Sequence, residues 1–140
     1  MESKGAPLRC LIVDDSETFR DAARRLLERD GLAIVGVAST IAEGLSSARE
    51  LKPDVTLVDV HLGAESGFEL ARRLRQEQGS TSPTVILTSA DPEQEFVESK
   101  ASISADGFLP KSALCGDRIR ELAGLGGGQR SAVGEKGDCR

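Results

Sequence analysis

The residues of this sequence best suited to chemistry are three carboxylates, a hydroxyl and a lysine that follow short apolar runs. They are Asp14 and Asp15 after RCLIV, Asp59 after VTLV, Ser89 after VILT, and Lys111 after GFLP. Carboxylates placed together repel one another, and a hard divalent cation such as Mg²⁺ relieves that repulsion through oxygen ligands. A lysine and a hydroxyl beside such a metal are groups that bind phosphoryl oxygens. The set therefore predicts phosphoryl transfer with a carboxylate as the nucleophile.

The apolar runs alternate with segments of helical spacing, which predicts the elements that position these residues. Strands are expected over 9–13, 33–39, 54–60, 84–90 and 107–110. Each is followed by a predicted helix: after the cap Ser16, with Phe19 in its apolar stripe; after Thr40, which with Glu43 forms a capping box; from Gly67; from Asp91 to about Ala101; and between Ala113 and Ala123. Five βα units predict an α/β fold, in which a doubly wound, five-stranded parallel sheet has helices on both faces. Ligands of such sheets bind beyond the carboxyl ends of the strands, where the five polar residues would converge.

The composition indicates a single cytoplasmic domain that binds neither nucleic acid nor membrane. Hydrophobic residues make up 39% of the 140 residues, and the net charge of −5 argues mildly against nucleic-acid binding. No apolar run approaches the roughly 18 residues of a membrane span, and the N-terminus lacks the apolar core of a signal peptide. The sequence from Gly124 onward is rich in glycine and charge, so we expect a domain over 8–123 and a flexible tail over 124–140.

The order and spacing of the polar residues resemble the receiver domain of two-component response regulators. The resemblance rests on Asp14–Asp15, Asp59, Ser89 and Lys111, and on the segment ADGFLPKSAL at 105–114. It covers residues 8–123 and implies a flavodoxin-like sheet with the strand order 2-1-3-4-5. It also implies a stand-alone signalling switch rather than an enzyme, a phosphoprotein that catalyses only its own phosphorylation and dephosphorylation.

In such a receiver Asp59 is the phospho-acceptor. It takes the phosphoryl group from a phosphohistidine of a sensor histidine kinase, or from a phosphotransfer protein of a phosphorelay. Asp14, Asp15 and Asp59 would bind Mg²⁺ together with the backbone carbonyl of His61. Many members have a proline in the loop after the acceptor, where this chain has Gly63. A glycine keeps a turn possible there but loosens it.

The resemblance also implies a switch that changes a protein-binding surface. Lys111 would pair with Asp59 at rest and with the phosphoryl group afterwards. Ser89 would donate its hydroxyl to that group, and Phe108 would turn inward as Ser89 moves. The surface formed by the fourth helix, fifth strand and fifth helix would then dimerise or bind a downstream protein. The side chains of His61 and Asp91 flank the path of the hydrolytic water in this family, so we expect them to tune autodephosphorylation.

Three alternatives stay open at the level of sequence. Thr88 rivals Ser89 for the hydroxyl role, because neighbouring strand residues point to opposite faces and only one can reach the site; the spacing favours Ser89. The chain could be a receiver that switches by partner binding and is rarely phosphorylated. It could also be a small Mg²⁺-dependent phosphatase or phosphotransferase. Such enzymes have an Asp-x-Asp motif where this chain has Asp14–Asp15, and they need a cap for which 140 residues leave no room.

Overall fold

The structure, a computed structural model, describes residues 7–78, 84–90 and 106–124. Seven strands lie in these ranges: β1 (Arg9–Val13), β2 (Ala33–Ala38), β3 (Val55–Asp59), β4 (His61–Leu62), β5 (Glu65–Ser66), β6 (Thr84–Ser89) and β7 (Gly107–Pro110). The five longer strands form one parallel sheet in the order β2-β1-β3-β6-β7, and β4 pairs with β5 in a small antiparallel hairpin. Without the hairpin this is the order 2-1-3-4-5, so the predicted doubly wound, flavodoxin-like fold is confirmed.

Four helices lie in the same ranges, and all four correspond to predicted ones. They are α1 (Glu17–Arg29), α2 (Ile41–Leu51), α3 (Gly67–Gln78) and α4 (Gly116–Leu122), with a 3₁₀ turn at Lys111–Ala113 before α4. Helix α4 is the predicted fifth helix, because the predicted fourth helix and the tail beyond Gly124 lie outside the described residues. No helix within the described ranges is long and apolar enough to cross a membrane. The cytoplasmic location stays a prediction.

Two apolar clusters cover the two faces of the sheet. The α2–α3 face joins the strands to helix residues Leu45, Ala48, Leu70, Ala71 and Leu74. The α1–α4 face joins them to Ala23, Leu27 and Ile119. Strand neighbours alternate between the clusters, since Val85 and Leu87 belong to the first and Ile86 to the second. Each fully buried Leu or Ile contributes about 1.5–3 kcal/mol to the free energy of unfolding. The two clusters therefore hold the strands, and the residues at their ends, in fixed positions.

Side-chain caps start the two helices whose N-termini border the carboxyl edge of the sheet. Ser16 Oγ accepts a hydrogen bond from the backbone N–H of Phe19 at 3.2 Å, which fixes the first turn of α1. Thr40 Oγ1 accepts from the N–H of Glu43 at 3.1 Å, as a capping box requires. The reciprocal bond differs from that motif, because Glu43 Oε1 accepts from the N–H of Ser39 at 2.9 Å.

Arg9 ties the first strand to the end of helix α2. Its guanidinium donates to the carbonyl of Lys52 at 2.7 Å and to that of Leu51 at 2.7 Å, and its backbone N–H donates to Asp54 at 2.9 Å. Carbonyls at a helix C-terminus lack partners within the helix and favour a cation. We expect Arg9→Ala to lower the free energy of unfolding by about 1–2 kcal/mol in urea denaturation.

Arg24→Ala is the matched control for Arg9→Ala. Arg24 is exposed on α1 and pairs with Glu28 of the same helix at 3.5 Å. Exposed pairs of this spacing contribute about 0.3–0.5 kcal/mol, so this variant should stay within that range of the wild type. Equal losses in the two variants would contradict the role assigned to Arg9.

Candidate functional site

The three predicted carboxylates meet at the carboxyl edge of the sheet. Strands β1 and β3 pair with Val13 opposite Val58, so Asp14 and Asp59 follow side by side. One carboxylate oxygen from each of Asp14, Asp15 and Asp59 lies within 4.8 Å of the other two. Asp14 is 1% exposed and Asp59 is 6% exposed, whereas Asp15 faces solvent. Two buried carboxylates with a third beside them repel one another, so the site favours a cation.

Lys111 supplies a positive charge to this carboxylate cluster. Its Nζ lies 2.8 Å from Oδ2 of Asp14 and 3.4 Å from Oδ2 of Asp59, so it is closer to Asp14 than to the predicted acceptor. Asp14 Oδ2 is buried, and the ammonium of Lys111 is its charged partner. Three carboxylates and one ammonium leave an excess of negative charge. An oxygen-lined site with that excess of negative charge fits a divalent cation such as Mg²⁺.

The surroundings shift the pKa values of Asp59 and Lys111. Burial raises the pKa of the Asp59 carboxyl group, and the charge of Asp14 raises it further; Lys111 and the N–H of His61 lower it without cancelling this. Burial lowers the pKa of the Lys111 ammonium, but its contacts with Asp14 and Asp59 outweigh burial and raise that pKa overall. Lys111 is therefore a permanent cation at neutral pH. The ionised form of Asp59 is disfavoured in the folded chain without a metal.

We expect Asp59→Asn to stabilise the metal-free protein at neutral pH. Because the pKa of Asp59 is higher in the folded chain than in the unfolded chain, the free energy of unfolding falls as pH rises from about 4 through the raised pKa. Asparagine has no carboxyl group to ionise, so the free energy of unfolding of the variant does not fall for this reason. In EDTA it should unfold at a higher urea concentration than wild type at neutral pH, and at the same concentration below about pH 3.5. Saturating Mg²⁺ should narrow the neutral-pH difference. A variant less stable than wild type in neutral EDTA buffer would contradict this expectation.

The loop after Asp59 is an ordered hairpin rather than a loose turn. The backbone N–H of His61 donates to Oδ1 of Asp59 at 3.3 Å, at the start of β4. Gly63 opens the two-residue turn between β4 and β5 with φ of +65°, a conformation that favours glycine. On the far strand, Glu65 Oε1 accepts a hydrogen bond from the N–H of Ile41, the first residue of α2, at 2.9 Å. The hairpin that follows the acceptor is thus anchored to the N-terminus of α2.

The strand register bears on the choice between Ser89 and Thr88. Asp59 pairs with Thr88 across β3 and β6. Residues in register on neighbouring parallel strands point to the same side, so Thr88 lies on the side of Asp59. Ser89, one residue further along β6, lies on the side of Leu87, which belongs to the α2–α3 face. Both residues are buried. The register therefore favours Thr88 where the spacing favoured Ser89, and the role of Ser89 stays a prediction.

The other predicted site residues lie further from the carboxylates or outside the described chain. Phe108 is half-buried on β7 and packs against the apolar cluster of the α2–α3 face. The side chain of His61 is exposed, and the residue pairs with Ser66 in the hairpin. Asp91 lies outside the described residues. The roles expected for these side chains stay predictions.

Two residues of the site were not assigned to it from the sequence. Gly67, predicted only as the start of the third helix, packs so closely on β3 that a Cβ there would lie 2.8 Å from the carbonyl carbon of Asp59. Phe19, predicted only as part of the apolar stripe of α1, has its ring centroid 4.2 Å from Nζ of Lys111. The sequence position of these two residues could have pointed to the site. Phe19 lies in the first turn after the carboxylate pair, and Gly67 directly follows the acceptor hairpin.

Comparison with known proteins agrees with this geometry. Residues 10–121 match the family model described as the response regulator receiver domain. Response regulator GacA of Pseudomonas viridiflava is 33% identical over 124 residues, which cover 88% of this chain and 57% of that protein. The chain thus spans little more than half the length of this relative. A two-component response regulator of the LuxR family from Aurantimonas sp. SI85-9A1 is 30% identical with a TM-score of 0.72, covering 85% of this chain and 87% of that chain. The signal receiver domain of NarL from Mycobacterium tuberculosis is 25% identical with a TM-score of 0.73, covering 86% and 98%.

Proposed function

Because this chain belongs to the response regulator receiver domain family, we propose that it is a phosphorylation-controlled switch whose phospho-acceptor is Asp59. The observation that carries the proposal is the convergence of Asp59 with two further carboxylates and a lysine at the carboxyl edge of the sheet. A carboxylate is a competent nucleophile toward phosphorus, and a lysine beside it offsets the charge of the incoming phosphoryl group.

We propose that the site binds Mg²⁺ through Asp14, Asp15 and Asp59, with the backbone carbonyl of His61 as a further ligand. The three carboxylate oxygens lie within 4.8 Å of one another, and Asp14 and Asp59 are buried, which supports this proposal. Carboxylates and carbonyls are the oxygen ligands that Mg²⁺ prefers. When bound, the cation neutralises charge on the phosphoryl oxygens and on the carboxylates.

The proposed transfer uses residues whose positions are described. An oxygen of the Asp59 carboxylate attacks the phosphorus atom of a phosphohistidine on a sensor kinase or phosphotransfer protein. The P–N bond breaks, its electron pair stays on the imidazole nitrogen, and an acyl phosphate forms on Asp59. Lys111, whose Nζ is 3.4 Å from Asp59 before transfer, stays within reach to pair with a phosphoryl oxygen afterwards. Its ammonium thereby stabilises charge that develops in the transition state.

The hydroxyl that meets the phosphoryl group is Ser89 by the family spacing and Thr88 by the strand register. Ser89→Ala and Thr88→Ala, made singly, decide between them. The variant that lacks the donor should be phosphorylated by acetyl phosphate about tenfold more slowly, since one charge-stabilising donor is lost. The other variant should keep the wild-type rate. A normal rate in Ser89→Ala would transfer the role to Thr88.

Phosphorylation is proposed to change a binding surface made of the predicted fourth helix, β7 and α4, with Phe108 as the aromatic that moves. This surface would bind a downstream protein or a second copy of the chain. We further propose that the side chains of His61 and Asp91 set the rate at which the acyl phosphate is hydrolysed. An autodephosphorylation rate equal to that of wild type in both His61→Ala and Asp91→Ala would contradict this role of the two side chains.

The acceptor role is tested by intact mass after incubation with Mg²⁺ and acetyl phosphate. Wild type should gain one phosphoryl group, while Asp59→Asn and wild type in EDTA should gain none. An adduct that persists in Asp59→Asn would place the acceptor elsewhere. The absence of any adduct in folded, Mg²⁺-bound wild type would favour a receiver that switches through partner binding.

A further inference from the structure

The active lysine has an aromatic partner as well as its two carboxylates. Nζ of Lys111 lies 4.2 Å from the centroid of the Phe19 ring, within the roughly 6 Å over which a cation is attracted to an aromatic face. The Lys111 side chain is only 18% exposed, so water screens the attraction less than it would at an open surface. The ring and the carboxylates of Asp14 and Asp59 therefore share one ammonium group.

The Phe19 ring is held by its own helix and by the apolar core, independently of Lys111. The N–H of Phe19 donates to Oγ of Ser16, the cap of α1, so the first helical turn after the carboxylate pair holds the ring at the site. The rest of the side chain packs against the apolar cluster of the α1–α4 face. Lys111 lies in the 3₁₀ turn that follows β7, and its ammonium stands at the end of a flexible four-carbon stem. A fixed ring beside a flexible ammonium is an arrangement that can direct the ammonium.

We propose that Phe19 is a positioning residue, whose ring face holds the Lys111 ammonium beside Asp59 and so raises the rate of phosphoryl transfer. This inference rests on the proposed function of the same site. Asp14 and Asp59, the two carboxylates that contact Lys111, are also proposed metal ligands, so a bound cation competes with the ammonium for their charge. The Phe19 ring is not a proposed metal ligand, so its contact with the ammonium does not compete with metal binding. It would keep the ammonium in place while Asp14 and Asp59 hold the metal.

A purely structural role for Phe19 predicts a different outcome. If the side chain only fills space on the α1–α4 face, then any apolar residue of similar volume should support the same rate of phosphorylation. Leucine fills much of that space but has no aromatic face. Ring fluorination keeps the shape of phenylalanine and weakens the negative potential of its face step by step. The two roles are therefore separable in one series of variants.

The test measures the rate constant for phosphorylation by acetyl phosphate at saturating Mg²⁺ in the full chain. We expect Phe19→Leu to be about tenfold slower, and mono-, di- and trifluorophenylalanine at position 19 to slow the reaction progressively. Phe19→Tyr, which keeps the ring face, should restore most of the rate. Leu26→Ala is the control, because Leu26 is a half-buried packing residue of the same helix. It should lose stability while its rate stays unchanged.

A wild-type rate in Phe19→Leu would overturn the proposal. So would a slow Phe19→Leu with a flat fluorinated series, because that pattern means that only shape matters. The ring contact has a second readout that needs no phosphorylation: the Lys111 Hε protons should show an upfield ring-current shift that Phe19→Leu abolishes. If wild type gains no phosphoryl group, the proposed function fails. The contact between the Phe19 ring and Lys111 is then tested by the ring-current shift.

Discussion

A Gly67→Ala protein should be about 3 kcal/mol less stable than wild type, and it should accept phosphate about a hundredfold more slowly. The added Cβ would overlap the carbonyl oxygen of Asp59, and it would lie 2.8 Å from the carbonyl carbon of Asp59 and 2.9 Å from Cα of Val60. These are backbone atoms of the strand end that carries the acceptor, so they cannot rotate away as a side chain could. The N–H of Gly67 also donates to the carbonyl of Val60 at 2.9 Å, which holds the start of α3 against that strand end. Relief of the clash must therefore move α3, the acceptor, or both.

Gly44→Ala is the matched control for this variant. Gly44 is buried in α2, and a Cβ there would lie 2.9 Å from Cδ2 of Leu70 and 3.4 Å from Cγ2 of Val13. Both neighbours are methyl groups at the ends of side chains, and alanine is favoured over glycine in a helix by about 1 kcal/mol. The control should thus stay within about 1 kcal/mol of wild type and keep its phosphorylation rate. Urea denaturation and the acetyl phosphate assay give both quantities. If the two alanine variants behave alike, the contact between Gly67 and Asp59 does not set the position of the acceptor.

Much of the fold was predictable because local patterns determine it. The run from Val55 to Asp59 is a mostly apolar strand that ends at a charge, and the other strands of the sheet are also short apolar runs that lead into polar residues. Helical spacing between such strands forces crossover connections, which leave few ways to order a parallel sheet. The caps at Ser16 and Thr40 were recognisable for the same reason, because a cap is a contact between residues three apart.

Sequence reasoning missed the closeness of Gly67 to the acceptor and left the choice between Ser89 and Thr88 open, because both depend on how separate elements pack together. The choice between Ser89 and Thr88 turns on a register shift of one residue, which moves a side chain to the other face of the sheet. Spacing along the chain counts the residues between β3 and β6, and the number of residues in that connection does not fix the register of the two strands. The closeness of Gly67 to Asp59 likewise follows from how α3 packs above the end of β3. No periodicity within either element encodes that separation.

Removal of the Lys111 charge should have opposite effects on phosphorylation and on metal binding. In Lys111→Met, Asp14, which is 1% exposed in the wild type, loses the ammonium that lies 2.8 Å from it, and Asp59 loses its partner at 3.4 Å. Uncompensated buried charge of this kind costs about 3–5 kcal/mol, and the partial exposure of Lys111 places the expected loss in EDTA at the lower end. Without the ammonium the three carboxylates carry a larger excess of negative charge. This excess should make the variant bind Mg²⁺ more tightly than wild type. Phosphorylation by acetyl phosphate should nevertheless fall about a hundredfold, because the donor to the phosphoryl oxygens is gone.

Lys52→Met is the matched control, since it removes the same charge from an exposed residue at the end of α2. It should change neither the affinity for Mg²⁺ nor the phosphorylation rate. Urea denaturation across a series of Mg²⁺ concentrations measures the linkage, because a ligand that binds only the folded chain adds stability in proportion to the logarithm of its concentration above the dissociation constant. The added stability should appear at lower Mg²⁺ concentration in Lys111→Met than in wild type or Lys52→Met. If Lys111→Met instead binds Mg²⁺ more weakly than wild type, the ammonium helps to shape the metal site rather than competing with the cation for its carboxylates.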